Sequence, residues 1–404
     1  MDDAQIAALS ARIAEAGLAG ESETAMVAGF CARAREAGLP LARVNVFIDT
    51  LHPIYEGRLF SWQAAEGKAS LHEYGPTGWG EASERWQRSP FYRLLQSGEP
   101  YLRRRLSAAS GAAFPVLGEM FEAGITDYVA MIHRFAAEGI IGEMDGVYSS
   151  WATDAPAGFR DRDILDLERL VPLLALAVKS ASLAHIARTL VETYLGRDAG
   201  RRVLAGRIMR GVADRIEAVL WFSDLRGYTR IADGSAPEEV IPFLNDYADA
   251  VVSSIHAQGG DVLKLMGDGV LAIFTGAERE EACRAALAAA AGARRGVVEL
   301  NRRRSEARQP VTEMYLALHI GEVFYGNVGS KERLDFTVVG PAVNEVSRIA
   351  SLCRSVEQPV LLSAAFASAA GEAGSRLVSV GRYALRGVSL PQELFALDPT
   401  REPP

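Results

Sequence analysis

The sequence predicts an α/β (α+β) chain of two domains joined by a long helix. Three observations carry this. Residues 43–49 alternate Val44, Val46 and Ile48 against polar neighbours, and β-leaning runs at 127–134 and 146–153 follow intervening helical stretches. From residue 160 to about 195, apolar residues recur every seven positions. In the C-terminal half, short apolar runs at 218–222, 262–266 and 270–274 alternate with amphipathic helical segments.

At 404 residues the chain is long enough for two domains that each bury a core. A formal net charge of −8 argues against a general nucleic-acid footprint, so no nucleic-acid partner is expected. Cys31, Cys283 and Cys353 are odd in number and far apart, with neither a disulfide framework nor zinc spacing. This points to a reducing, cytoplasmic setting. Cys31 and Cys283 sit in apolar helical contexts and read as core. Met1 to Gln5 lacks a basic-then-apolar leader, and the strongest apolar run, 170–178, is too short to cross a bilayer, so no membrane span is expected.

In chain order, residues 2–37 read as two helices broken at Gly17–Ser22, with Met26, Val27, Phe30 and Ala34 at helical spacing in the second. Strands follow at 43–49, 59–62, 127–134 and 146–153, with helices near 89–97 and 116–123. This order, with Trp151-Ala152-Thr153-Asp154-Ala155-Pro156-Ala157-Gly158-Phe159 leading from a strand towards a helix, resembles a GAF domain over residues 1–159. A PAS-like module fits the same pattern. The segment holds Trp62, Trp79, Trp86 and Trp151 and also His52, His72 and His133. They suit an aromatic-lined pocket for a small-molecule ligand or chromophore. They suit ordinary packing equally, and both readings stand here. Cys31 is considered as an attachment point, although nothing around it signals that chemistry.

Residues 160–212 read as a long signalling helix and a connector. Ile164, Val171 and Val178, with Leu167, Leu174 and Ala181 between them, form an a/d seam suited to a parallel dimer. The alternative is an amphipathic helix packed on its own domain. Pro172 predicts a kink.

The third region, residues 213–400, carries the chemistry. A strand over 218–222 leads to Asp224, just before Gly227. Helices are predicted over 237–256 and 280–300, and a polar loop over 301–309. The arginine triplets 103–105 and 302–304 read as solvated faces or loops. A hairpin spans 262–274, with Asp268-Gly269 as its tight turn. Asp224 and Asp268 would then converge. Two carboxylates without His or Cys suit a hard, oxygen-preferring cation shared with substrate phosphates. A strand over 315–320 ends at Gly321, and a helix begins after Gly340-Pro341. That helix places Asn344 and Arg348 four residues apart on one face.

These stretches, Phe222-Ser223-Asp224-Leu225-Arg226-Gly227, Asp261 to Phe274 and Leu334 to Arg348, resemble in order and spacing the catalytic domain of the class III adenylate/guanylate cyclases. The resemblance covers residues 216–397, under half of the chain. It implies a ferredoxin-like, palm-type domain. It assigns metal binding to Asp224 and Asp268, purine reading to Lys264 and Thr337, and transition-state stabilisation to Asn344 and Arg348. Lys264 with Thr337 resembles the bacterial, Lys/Thr purine-reading subgroup. Glu322 to Gly329 looks like the family's hairpin before Thr337, and Tyr383 to Val388 like its phosphate-binding strand-turn. Arg386 stands there where family members usually carry lysine, so the charge is kept on a differently shaped group. Pro341 also departs from the commonest residue at its position, an aspartate.

The resemblance implies an adenylate cyclase: ATP to 3′,5′-cyclic AMP and pyrophosphate, with two Mg²⁺ or Mn²⁺ ions per site, at a homodimer interface under the control of the N-terminal sensor. A guanylate cyclase, or a silent nucleotide-binding module, is the alternative.

Overall fold

The computed structural model describes residues 1–136, 141–142, 144–386, 388 and 390–398. The chain divides into two compact units, residues 1–190 and 191–404.

The first unit begins with α1 (Asp3–Leu18) and α2 (Glu23–Glu36), capped by the side chains of Asp2 and Ser22. Then come β1 (Arg43–Asp49), β2 (Gly57–Gln63) and β3 (Ala69–Tyr74), followed by α3 (Gly80–Gln87), α4 (Pro90–Ser97) and β4 (Tyr101–Arg105). The short α5 (Ser110–Ala113) and α6 (Pro115–Glu122) precede β5 (Asp127–Arg134), β6 (Gly146–Thr153) and the long α7 (Asp161–Leu195). The six strands form one sheet in the order β3-β2-β1-β6-β5-β4, with every neighbour antiparallel.

Strand alternation divides the side chains between two cores. Val44, Val46, Ile48, Val129, Met131 and Trp151 meet α1, α2 and α7 on one face. Phe47, Tyr128, Ala130 and Tyr148 meet α4 and α6 on the other. The strands β3 and β4 and the helix α3 are absent from the sequence reading. Their residues are mostly exposed and lack alternation.

The helix α7 corrects the dimer-seam reading. Ile164, Leu167, Val171, Leu174 and Val178 are buried in their own unit's core. The open sheet face needs an apolar cover, and the seam supplies it. Pro172 lies within a continuous helix. By length and composition alone, α7 is long and apolar enough to cross a membrane, which the shorter run at 170–178 did not suggest.

Of the two readings of the aromatic residues, the structure shows packing for most of them. Trp62 and Trp151 are core residues on the helical face of α1, α2 and α7. On the opposite face, Phe47, Phe91, Tyr148 and Trp86 stack edge to face, with centroids 5.4–5.8 Å apart. Trp79 is exposed. A groove between α1 and α2 holds about 20 Å³, roughly one water. Cys31 is fully buried, and burial pushes its thiol well above the usual range, the opposite of an attachment nucleophile.

The arginine triplet at 103–105 is likewise more than a solvated surface. The buried Asp127 carboxylate accepts from Arg103 Nε and Nη2 (3.1 and 2.9 Å) and from the Phe159 amide (3.1 Å), which fastens the start of α7.

The second unit contains α8 (Arg197–Leu204), β7 (Ala213–Leu225), α9 (Tyr228–Gly234), α10 (Pro237–Ala257), β8 (Asp261–Met266), β9 (Gly269–Phe274) and α11 (Arg279–Glu306). It continues with β10 (Met314–Gly329), β11 (Leu334–Val339), α12 (Pro341–Val356), β12 (Val360–Ser363), α13 (Ala364–Ala369), β13 (Leu377–Tyr383) and β14 (Gln392–Leu397). Its sheet runs β13-β14-β12-β10-β7-β9-β8, with β11 paired to β10. On one face, Val219, Trp221, Ala272 and Phe274 pack against α10 and α11. On the other, Ala218, Leu220, Leu271 and Ile273 pack with α12 and β11.

Two sequence expectations change here. The helix α11 continues through the predicted loop to Glu306. Arg304 is buried there, donating from Nε to the Pro310 carbonyl (2.8 Å), pairing with Asp246 and lying over the Phe243 ring. Gly321 does not end its strand, because β10 runs unbroken to Gly329. A Cβ at Gly321 would come within 2.8 Å of Ala342 Cβ, so this glycine admits α12 instead.

Buried charge also ties the first unit together. The Glu23 carboxylate accepts from Arg58 Nη1 (2.5 Å) and Ser182 Oγ (3.0 Å), joining α2, β2 and α7. Removing it leaves the buried Arg58 with Glu73 at 4.0 Å. Glu23→Ala should cost about 3 kcal/mol in urea unfolding of the full chain, and Glu23→Leu combined with Arg58→Met should recover most of that loss.

Candidate active site

Asp224 sits at the end of β7, where Ser223 pairs with Val270 of β9. The β8–β9 turn brings Asp268 beside it. The turn residues are Gly267-Asp268 rather than Asp268-Gly269, since Met266 pairs with Gly269. Gly267 takes the positive φ of 65°, the first-position glycine of a type II′ turn. Both carboxylates accept from one amide, Leu225 N–H, at 3.1 Å for Asp224 Oδ1 and 3.2 Å for Asp268 Oδ2.

Two acids converging on one donor repel each other when both are ionised. Desolvation first, then the hydrogen bond and charge of Asp268, push the Asp224 carboxyl up to about 7. The pair lines a cleft of about 180 Å³, walled by Ile241, Leu244 and Tyr247 of α10 and by Leu265 and Met314. The role of α10 in this wall was missed from sequence. Its visible signal was Ile241 and Leu244, apolar positions beside the buried stripe of Phe243, Tyr247 and Val251.

Such a donor set fits a divalent cation, whose charge would relieve the repulsion. Among the described residues there is no cluster of three or more His, Cys, Asp or Glu suited to a metal. The remaining ligands would therefore be backbone, water or substrate oxygens, as is usual for Mg²⁺.

Lys264 lies four residues before Asp268 but faces the other side of the sheet. The β8–β9 register shifts between Val262, paired with Ala272, and Lys264, paired with Leu271. Leu263 is thus the extra residue of a β-bulge. Cross-strand partners share a face, so the bulge moves Lys264 from the α10–α11 side to the α12–β11 side. There its Nζ meets Asp335 Oδ2 at 2.7 Å. Asp335 and Thr337 are two residues apart on β11 and share a face. The structure therefore places Lys264 beside the strand that carries Thr337. Asp335 is a further residue at this position that sequence reasoning missed. The segment Glu322–Gly329, expected as a hairpin, is one arm of one: the far half of β10, pairing antiparallel with β11, Gly326 opposite Thr337.

Asn344 and Arg348 lie on α12, with Asn344 exposed and Arg348 half-buried. Pro341 occupies the helix start. Val346, Ile349 and Cys353 anchor the opposite face of the helix in the core. Arg348 makes no ion pair among the described residues. Arg386 is an exposed turn residue after β13. Its neighbour in the predicted motif, Gly387, lies outside the described residues.

The candidates thus form two groups. Asp224 and Asp268 line the α10 cleft, whereas Lys264, Thr337, Asn344, Arg348 and Arg386 are not among its walls.

Residues 213–398 match the family described as the Adenylate and Guanylate cyclase catalytic domain, and this part of the chain is a class III cyclase domain of that family. The chain is 32% identical over 222 residues to an uncharacterized protein of Mycobacterium tuberculosis, a match covering 54% of this chain and 38% of the relative. It is 31% identical over 153 residues to an adenylate cyclase of Anabaena cylindrica, covering 38% of this chain and 30% of that protein. The crystal structure of the guanylyl cyclase Cya2 aligns with a TM-score of 0.41 at 29% identity, over 46% of this chain and 93% of Cya2. The chain spans well under half the length of these two sequence relatives.

The carboxylate pair makes a prediction about the metal-free protein. Asp224 titrates higher folded than at its ordinary value of 3.8. Its ionisation therefore opposes folding above pH 7, and that cost fades as pH falls through about 7 towards 3.8. Asp224→Asn should melt higher than the wild type in metal-free buffer at pH 8, with the gap closing towards pH 5. Mn²⁺ should raise the wild-type melting temperature and leave the variant's unchanged.

Proposed function

We propose that the chain is an adenylate cyclase that converts ATP to 3′,5′-cyclic AMP and pyrophosphate at the interface of a homodimer. The observation that carries this reading is the division of the candidate residues between two faces of one sheet. A carboxylate pair open to a cleft and a base-reading and phosphate-facing set elsewhere are two halves that a second copy can join. Exposed apolar residues on both halves support such a contact: Ile241 and Leu265 at the cleft, and the cross-strand pair Phe324 and Val339 on the β10–β11 arm.

In the reaction, the ribose 3′-hydroxyl attacks the α-phosphorus of the same nucleotide. The bond from that phosphorus to the oxygen bridging to the β-phosphorus breaks, pyrophosphate leaves with the oxygen, and the hydroxyl proton passes to solvent. Mg²⁺ or Mn²⁺, two ions per site when bound, would lower the pKa of the hydroxyl and brace the triphosphate. Asp224 and Asp268 hold that charge in place. Arg348 neutralises the charge that builds on the α-phosphoryl oxygens, Asn344 orients the ribose, and Arg386 contacts phosphate. Lys264 donates to an adenine ring nitrogen, and the Thr337 hydroxyl accepts from the exocyclic amine. The first unit is proposed as a GAF-like sensor that regulates this domain, and the protein as cytoplasmic.

The direct test is the purified full chain with ATP or GTP and Mn²⁺ or Mg²⁺, the product separated by chromatography. Cyclic AMP from ATP is expected, reduced at least roughly 100-fold by Asp224→Ala. Cyclic GMP alone would replace the reading with a guanylate cyclase, and nucleotide binding without product would leave a silent binding module. The shared site has its own test. Asp224→Ala and Arg348→Ala chains, each inactive alone, should recover activity when mixed, because each mixed dimer rebuilds one intact site. Absence of recovery in a mixture shown to contain mixed dimers would sink the shared-site reading.

A further inference from the structure

We propose that Thr312 is a positioning residue for the metal-binding carboxylates: its hydroxyl, held in a buried polar knot with α10 and α11, fixes the end of β7 and with it the one amide that Asp224 and Asp268 share. The proposal rests on the cyclase reading above.

The argument begins where β7 stops. Its ladder with β10 ends at the pair Leu225 and Met314. One residue on, the Arg226 amide donates to the Glu313 carbonyl at 2.8 Å. Gly227, at a φ of 71°, then turns the chain into α9. Strand ends fray, because few bonds close them. Fraying here would reach the site, since the amide that donates to both carboxylates belongs to Leu225, the last residue of the strand.

A side chain closes that end. Thr312 Oγ1 donates to the Arg226 carbonyl at 2.5 Å. Arg226 is therefore held at both its amide and its carbonyl, one residue past the shared amide. The hold is only as firm as Thr312 itself, which lies between α11 and β10. Two helices fix its backbone. The Tyr247 hydroxyl of α10 accepts from the Thr312 amide at 2.9 Å and donates to Asn301 Oδ1 of α11. Asn301 Nδ2 donates to the Thr312 carbonyl at 2.7 Å. Each polar group of Thr312 thus has a partner, as a residue only 7% exposed requires. Leu225 itself packs with Phe243, Tyr247, Val297 and Leu300.

Tyr247 also walls the carboxylate cleft. The knot therefore connects the cleft wall to the strand end that carries Asp224. Two repelling acids stay close only while the donor between them stays in place. A cation then meets a preformed pair. Without the hold it must draw the acids together, and that ordering lowers its affinity. Loss of the Thr312 hydroxyl should weaken metal binding although no metal ligand is removed.

The test uses the full chain with Thr312→Val, which replaces the hydroxyl by a methyl, and Thr312→Ser, which keeps it. Tyr247→Phe loosens the knot from the α10 side. Ser363→Ala is the structural control, since it removes a buried cap of α13 that is not among the cleft walls. Mn²⁺ binding is read from the loss of the free-ion electron paramagnetic resonance signal and counted as the part that Asp224→Asn abolishes. Thr312→Val should weaken it roughly five- to tenfold. Tyr247→Phe should act in the same direction, and Thr312→Ser should stay close to the wild type. In turnover, the Mn²⁺ concentration for half-maximal rate should rise by the same factor, with kcat at saturating metal nearly kept. Thr312→Val and Ser363→Ala should both melt lower without metal, and only the former should bind Mn²⁺ more weakly. Unchanged Mn²⁺ binding in Thr312→Val and Tyr247→Phe overturns the proposal. So does an equal weakening in Ser363→Ala or in Thr312→Ser. A wild type without Asp224-dependent Mn²⁺ binding overturns the metal assignment and this proposal together. If the wild type binds Mn²⁺ there but forms no cyclic nucleotide, the cyclase reading fails, and the Mn²⁺ titrations alone still decide the role of Thr312.

Discussion

Mutual repulsion between Asp224 and Asp268 is the constraint on which the catalytic domain turns. Two acids on one amide would drift apart in a flexible loop. Here one ends the central strand β7 and the other sits in the two-residue turn of the neighbouring hairpin. The ladder pairing Val219–Ser223 with Val270–Phe274 holds them together beside α10, with Asp224 exposed and Asp268 half-buried. Hydrophobic burial of Trp221, Phe274 and Val251 stabilises that frame by roughly 1.5–3 kcal/mol per large side chain. Against that, one raised carboxyl at a partly open site is a tolerable cost. It leaves the metal-free protein with a poised charge deficit.

The bulge at Leu263 then determines how the chemistry is shared. In a regular hairpin Lys264 would face the same side as Val262, towards α10 and α11. One inserted residue turns it to the α12 side, while Leu265, paired with Val270, returns to the cleft. A stretch of six residues, Leu263 to Asp268, therefore carries both the lysine that pairs with Asp335 and the Asp268 carboxylate beside Asp224. This compactness has a consequence for engineering. A substitution that relaxes the bulge would move Lys264 and disturb the carboxylate turn together.

Much of this was legible in the sequence, and the reasons are specific. Asp224, Asp268, Asn344 and Arg348 follow strand and helix boundaries marked by Gly and Pro, which are local signals. The strands β1, β5 and β6 alternate cleanly, so their bounds could be read. The β-bulge was not legible because it exists only in the register with β9, and Asp335 could be matched to Lys264 only once β11 was placed over β8. The edge strand β3, with Ser70, Leu71, His72 and Glu73 all exposed, carries no period to detect. Seven-residue spacing in α7 was legible as a pattern but not as a partner. A stripe of Ile164, Val171 and Val178 suits a coiled coil and a sheet face equally, and the open face of the β1–β6 sheet takes it. The turn was displaced by one residue because Gly267 and Gly269 flank Asp268, and either glycine could have accepted the positive φ.

Magnitudes separate the contacts that fold this domain from those that do not. A surface ion pair such as Lys264–Asp335 adds about 0–1 kcal/mol to stability. Burying Phe336 beside Tyr325 contributes more than that by itself. The ion pair's openness to solvent, at 44% and 40% side-chain exposure, is what makes it weak as a support.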